Sequence, residues 1–236
     1  MEAATLSREE VAVRLSGSPG ERAAFLRELA EGGSAAAQAA YGQLLLDGNG
    51  VPKDEAGALR WFMASAKGGD VMALNMVGRC HDLGWGTAVD KGRAAECYRV
   101  AAARGMAESM YNYATLLALG QGVAEDKAAA LGWLEKAAAL GFAKAANFIG
   151  SFAEDGWAGP VDMARARNGY ERAAVGGDFR GCFNHARMLA AGGDVDGAVR
   201  WIGRAAELGH DRFCEQMRGW LARAPEPLRS RGLAAC

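Results

Sequence analysis

The sequence predicts an all-α solenoid of about five helix–turn–helix repeats, closed by helical caps at both ends. The first observation behind this is an excess of small residues: 33 Gly and 51 Ala among 236 residues, with only 5 Pro. Gly does not recur every third residue, so a collagen helix is excluded, and 50% hydrophobic residues argue against disorder. The second observation is a period of 36 residues. Gly33, Gly69, Gly105, Gly141 and Gly177 are spaced by 36, and Gly209 follows after 32. A second glycine column holds Gly48, Gly84, Gly120, Gly156 and then Gly192, and an Asp column holds Asp54, Asp90, Asp126, Asp162 and then Asp194. Four residues past each Asp stands an alanine: Ala58, Ala94, Ala130, Ala166 and Ala198. Chance does not place independent columns on one period. The third observation is the apolar stripe that each unit carries at helical spacing.

The elements follow in chain order. Ser7-Arg8-Glu9-Glu10 and Ser18-Pro19-Gly20-Glu21 read as capping boxes, the second with Pro at the first helical position. They open two helices that, with a half-repeat from Arg22 to Gly33, form an N-terminal cap over residues 1–33. The array occupies 34–211, with units at about 34–70, 71–106, 107–142, 143–178 and 179–210. In the first unit, one helix runs from about Ala35 to Asp47 and stops at Gly48. A loop, Gly48-Asn49-Gly50-Val51-Pro52-Lys53-Asp54, leads to Asp54, placed to cap the second helix. That helix buries Ala58, Trp61, Phe62 and Ser65/Ala66, and Gly69 stops it as a left-handed cap residue. The segments ending at Gly141 and Gly209 read alike. Small residues at 37/73/109/145/181 and 42/78/114/150/186 let helix backbones approach closely, and Trp61, Trp133 and Trp201 are expected to fill the space opposite. After the array, 212–236 holds a capping helix, Asp211–Ala222, with Phe213, Met217, Trp220 and Leu221 on one side. Ala224-Pro225-Glu226-Pro227 ends it, and Arg229 and Arg231 are expected in a short mobile tail.

Composition narrows the partners. A net charge of -1 and a pI of about 6.3 give no broad electrostatic reason to bind nucleic acid or anionic lipid. No apolar stretch approaches the ~18 residues a membrane span needs. The N-terminus lacks the basic and apolar regions of a signal peptide, so a cytoplasmic protein, expected as a monomer, is the default.

No catalytic or metal constellation stands out, and no cofactor is expected. His81, His185 and His210 lie outside His-Glu-x-x-His spacing. Gly-x-Ser-x-Gly, Ser-x-x-Lys and the phosphate-loop pattern do not occur. His185 falls in an otherwise apolar column and reads as a partly buried structural residue; His81 replaces leucine in a core column. Asp194-Val195-Asp196-Gly197 lacks the later ligands of a calcium loop and reads as a helix cap. Five cysteines, an odd number, indicate reduced thiols. Cys80 and Cys97 replace core residues on facing helices and read as buried thiols, with a redox bridge as the alternative.

The stretch Ala37-Gln38 to Gly68-Gly69, with Tyr41-Gly42, Leu45, Gly48-Asn49-Gly50-Val51-Pro52-Lys53-Asp54 and Ala58-Leu59-Arg60-Trp61-Phe62, resembles the Sel1-like repeat, a relative of the tetratricopeptide repeat. The copy from Ala107 to Phe142 matches about as well. The copies from Val71 and Ala143 depart in the loop, at Gly84-Trp85-Gly86 and Gly156-Trp157-Ala158-Gly159-Pro160, and the last copy has a loop four residues shorter. The resemblance implies a right-handed α–α superhelix. It also implies a bacterial, non-enzymatic adaptor that holds a protein or peptide segment on its concave face, lined by the first helix of each unit. The alternative it implies is a hydrolase with the β-lactamase-like activity attributed to some cysteine-rich relatives, whose regular Cys pattern this chain lacks.

Two columns of that first helix are the expected groove. One reads Ala39, Asn75, Tyr111, Asn147, Phe183; the other, one turn later on the same face, reads Gln43, Arg79, Thr115, Ser151, Arg187. Asn can bond a peptide backbone, Arg can fork a carboxylate, and Tyr111 and Phe183 would be aromatic anchors. Asn75, Arg79 and Tyr111 are expected to serve binding rather than folding. Trp85 and Trp157, in the middle of their loops, are either tucked against a helix or exposed as further anchors.

Overall fold

The computed structural model describes residues 7–236; the first six residues, on which the reading of a missing leader partly rests, lie outside the described residues. Among the described residues there are fourteen helices and no strand. Two caps come first, α1 (Arg8–Leu15) and α2 (Pro19–Glu31). The repeats then follow as pairs: α3 (Ala35–Asp47) with α4 (Glu55–Lys67), and α5 (Val71–Leu83) with α6 (Lys91–Ala103). Next come α7 (Ala107–Leu119) with α8 (Lys127–Ala139), α9 (Ala143–Asp155) with α10 (Met163–Val175), and α11 (Phe179–Ala191) with α12 (Val195–Leu208). Two more close the chain, α13 (Asp211–Leu221) and α14 (Leu228–Ala234). No helix of the described residues is long and apolar enough to cross a membrane.

The chain forms two compact units. One runs to Ser109 and takes in Gly120–Ala124; the other comprises Met110–Leu119 and Glu125–Cys236.

The periodic columns translate into caps and turns. Both N-terminal capping boxes are made, Ser7 with Glu10 and Ser18 with Glu21. Every second helix is capped by its column aspartate: Asp54, Asp90, Asp126, Asp162 and Asp194 each accept a backbone N–H three residues on. Gly33, Gly69, Gly105, Gly141 and Gly177 take positive φ just past their helices, as the column predicts. Two glycines differ. Gly209 is extended, at φ -81° and ψ 155°, because α13 begins at once. Gly192 stays right-handed, and Gly193 makes the left-handed turn of the shortened loop, at φ 88°.

The alanine column is the spine of the packing: Ala58, Ala94, Ala130, Ala166 and Ala198 are all fully buried. The residues facing the other small column are not the tryptophans. A Cβ added to Gly42, Gly78 or Gly150 would strike the ring of Phe62, Tyr98 or Tyr170, one position after the tryptophan column. Where that column holds Ala114 or Ala186 instead, the corresponding residue is Leu134 or Ile202. A smaller backbone position thus goes with a larger ring, as a close-packed interior requires. The tryptophans stand edge-on to the first helix instead, Trp61 on Tyr41 at 5.8 Å, Trp133 on Tyr113 at 5.9 Å and Trp201 on His185 at 5.4 Å.

The C-terminal tail is a helix rather than a mobile segment. α14 sets Leu228 and Gly232 against α12 and α13, and Gly232 abuts Leu221 and Ile202 too closely for a side chain. Arg231 pairs with Asp196 at 2.7 Å, and Arg229 with Glu226 at 2.8 Å. The Pro residues that end α13 only redirect the chain, and the apolar pair Leu228 and Gly232, four apart, is enough to dock another turn.

Candidate functional site

In the first unit, the expected groove residues have separate fates. Asn75 is not on the surface: it is 1% exposed, and the Ser109 hydroxyl, itself fully buried, donates to its Oδ1 at 2.9 Å. It ties α5 to the start of α7. The expectation that Asn75 serves binding alone is therefore corrected, because its column lies in the seam between successive first helices. Arg79, one turn later, is half-buried and lies over the Trp85 indole, 5.0 Å from its centroid. Trp85 is tucked: its backbone N–H donates to the Cys80 carbonyl just past α5, folding the ring onto the apolar cluster of Leu45, Phe62 and Val77. Arg79 and Trp85 line a cavity of about 270 Å³ with Gln43, Asp47, Lys53 and Glu55. Inside it, Gln43 donates to Asp47 at 2.8 Å and Lys53 pairs with Glu55 at 2.8 Å, while Arg79 reaches Glu108 only at 3.9 Å. The cavity therefore presents a guanidinium backed by an indole face, beside two carboxylates and an amine.

In the second unit, Asn147, Ser151 and Arg187 come together. Arg187 donates to Glu154 at 2.8 Å and to the Asn184 side chain at 3.0 Å, and Asn184 donates to Asn147 at 2.9 Å. The Tyr170 hydroxyl lies against Glu154 and 3.3 Å from Ser151 Oγ. Burial, then the bond to Glu154, pushes the Tyr170 phenol above its ordinary range. Glu154, Asn184 and Tyr170 are the partners that column reasoning missed. The signal was present: an acid in the column of Leu46, matched to a tyrosine in the column of Phe62. Thr115 does not join this network and donates to the Tyr111 carbonyl at 2.9 Å.

The aromatic anchors prove to be packed within the protein. Tyr111 lies 5.5 Å from Phe142 and 6.1 Å from Phe148; Phe183 stands edge-on to Trp220 at 5.2 Å and to Phe213 at 6.1 Å. Both keep only a partly exposed edge. Trp157, like Trp85, is tucked, 5.2 Å from Phe152, with the Lys127 ammonium 5.4 Å above its ring.

The histidines sit as read: His81 is buried at 8% exposed, and His185 is half-buried and held below its ordinary pKa by desolvation. Among the described residues no group of three or more His, Cys, Asp or Glu is placed to hold a metal. All five cysteines are free thiols, and burial pushes Cys80 and Cys182 from an ordinary 9.0 up to about 11. The unfolded chain ionises these thiols first. Their contribution to stability is therefore complete below about pH 9 and is lost as pH rises toward 11. The urea midpoint should fall across that window, and fall less in a Cys80→Ala/Cys182→Ala variant. An equal fall in the variant would assign the effect elsewhere.

A model of the Sel1 repeat matches residues 35–70, 71–106, 107–142 and 180–210. A Sel1 repeat protein from Oxalobacter formigenes has a structure similar to this one at a TM-score of 0.83, with 24% identity over 96% of this chain and 95% of that one. The protective antigen c5321 of uropathogenic Escherichia coli, which displays an SLR fold, gives 0.73 at 22% identity over 97% of this chain. This chain spans about half of that antigen, 51%. The immunity protein Pa5087 of Pseudomonas aeruginosa gives 0.58 at 17% identity, over 88% of this chain and 84% of that one. At these identities the likenesses show the fold. No curated protein sequence matches the chain. With paired helices on a 36-residue period and the family model covering more than half of its length, the chain belongs to the Sel1 repeat family.

Proposed function

We propose that the chain is a non-enzymatic scaffold that holds a segment of a partner protein on the face formed by the first helices of its repeats. Sel1 repeats are typically interaction scaffolds, which supports the class of function. The observation that carries the site is the cavity of about 270 Å³ on α3 and α5, where Arg79 over Trp85 sits beside Gln43, Asp47 and Glu55. A guanidinium held by an aromatic face is pre-aligned to fork a carboxylate at low entropic cost, and the indole edge offers apolar contact. Within the second unit, Arg187, Asn184 and Asn147 form a polar row of the same kind. Tyr111 and Phe183 pack on rings of their own chain, Phe142 and Phe148 for the one and Phe213 and Trp220 for the other, rather than reaching for a ligand.

The test uses a partner isolated by affinity capture and then purified. Arg79→Glu should weaken its binding about tenfold or more, as hot-spot residues do, with helicity and melting temperature retained, and Trp85→Ala should weaken it as well while lowering the melting temperature, because its ring packs on Leu45, Phe62 and Val77. Undiminished affinity in both variants would reject the site.

A further inference from the structure

The last helices are seated differently from those of the repeats. The small-residue column of the first helices, Ala37, Ala73, Ser109, Ala145 and Gly181, continues on α13 as Phe213. Gly181 sits so close to α10 that a Cβ there would fall 2.5 Å from the Ala173 methyl. A phenyl ring in that column cannot seat in the same way, and Phe213 packs on the rings of Phe179 and Phe183 instead, at 4.6 and 6.1 Å. α14 wedges between α12 and α13, where a Cβ on Gly232 would fall 2.6 Å from Leu221 and 3.4 Å from Ile202. Its seven residues are too few to stay helical alone. Its order therefore rests on that contact, on buried Leu228 and on the Arg231–Asp196 pair.

Two thiols meet at this wedge. The Cys214 thiol donates to the Ala206 carbonyl of α12 at 3.7 Å. Ala235, beside Cys236, lies one turn earlier on α12, its methyl 3.9 Å from where a Cβ on Gly203 would stand. Arg218, one turn past Cys214 on α13, donates to the Cys236 carbonyl at 2.8 Å. Both cysteines thus lie over the same stretch of α12, in one apolar cluster with Ile202, Ala205 and Met217. Burial pushes the Cys236 thiol up, Arg218 draws it down, and the neighbouring Cys214 raises it again. Cys236 lies just beyond α14, so no helical ladder fixes its backbone against the small shift a sulfur–sulfur bond requires. Cys236 is partly exposed, whereas Cys80 and Cys182, fully buried, offer no surface to a dissolved oxidant.

We infer that Cys214 and Cys236 form a reversible disulfide that latches α14 onto α12 and α13, made by a small-molecule disulfide such as oxidised glutathione. The Cys236 thiolate attacks one glutathione sulfur and releases a glutathione thiolate, leaving a mixed disulfide. The Cys214 thiolate then attacks the Cys236 sulfur and expels the second glutathione. Two protein thiols are oxidised, one glutathione disulfide is reduced to two thiols, and the two protein protons pass to the released thiolates. An excess of reduced glutathione runs both steps backward. With the bond made, the segment from 214 to 236 is a closed loop and α14 cannot lift from Ile202 and Leu221. With it broken, α14 opens locally and bares them. The latch shares no residue with the α3–α5 cavity, so either can fail without the other.

The test equilibrates the full chain in glutathione buffers from reducing to oxidising, followed by acid quench, alkylation and digestion without reduction. Mass spectrometry should find one peptide pair joined through Cys214 and Cys236, lost again in excess reduced glutathione. Amide exchange in α14 should slow about tenfold or more in the oxidised chain, and Cys236→Ser in the same oxidising buffer should keep the reduced rate with its helicity intact. Cys214→Ala, as the second variant, should stop at a glutathione adduct on Cys236. Five alkylated thiols in the most oxidising buffer, an adduct on Cys236 that never closes in the unsubstituted chain, a bridge to Cys80, Cys97 or Cys182, or equal α14 exchange in both states would overturn the assignment.

Discussion

Gly122→Ala should destabilise the first unit by about 2 to 5 kcal/mol, read as a lowered urea midpoint. Gly122 has φ +72°, and an added methyl would fall on the backbone of Lys91 and Gly92 at the start of α6. The cost has two parts: a left-handed conformation that an L residue resists, and a clash with main chain that cannot rotate away. Gly50 meets Pro19 and Gly20 in the same way, and Gly86 meets Glu55 and Ala56, always 31 residues back. Successive repeats in this unit are thus keyed by glycine seated on the first turn of the preceding second helix. Gly105→Ala is the control. Its φ is +92° with nothing within 4 Å, so it should cost only the conformational part, about 1 to 2 kcal/mol. Equal losses in the two variants would show that the seat against α6 contributes nothing.

Asn75→Ala should cost about 3 kcal/mol, because it leaves a cavity and strands the buried Ser109 hydroxyl. A double-mutant cycle isolates the pair. With Ser109→Ala already present, removing Asn75 should cost about 1 kcal/mol less than it does alone, since the orphaned hydroxyl is gone. Strict additivity would mean that the bond between α5 and α7 carries no stability. The same variant bears on function. Loss of binding on changing Asn75 would report an unsettled fold, so Arg79 is the informative position.

The repeats were readable in the sequence because packing repeats where spacing repeats. Asp54 and its four counterparts cap helices, Ala58 and its counterparts are fully buried, and the α3 boundaries fall where Gly48 and the stripe place them. Columns fail where a residue's setting depends on its neighbour in the next unit. The period puts Asn75 and Arg79 on one helix face but does not say that the following first helix covers the former and spares the latter. Ser109, the one polar residue in a column of Ala and Gly, was the available sign that a buried polar partner was needed. The tryptophans were assigned to the wrong gap for a related reason: adjacent positions, 61 and 62, both belong to the buried stripe, and only the three-dimensional twist decides which meets the glycine. α14 was missed because two prolines ahead of it read as a stop.

Hydrogen exchange of the full chain, free and bound to its purified partner, tests the central claim most directly. The account predicts slowed exchange in α3, α5 and the loop through Trp85, lost on Arg79→Glu, with α4 unchanged. Protection confined to the second helices, or none in α3 and α5, would contradict it.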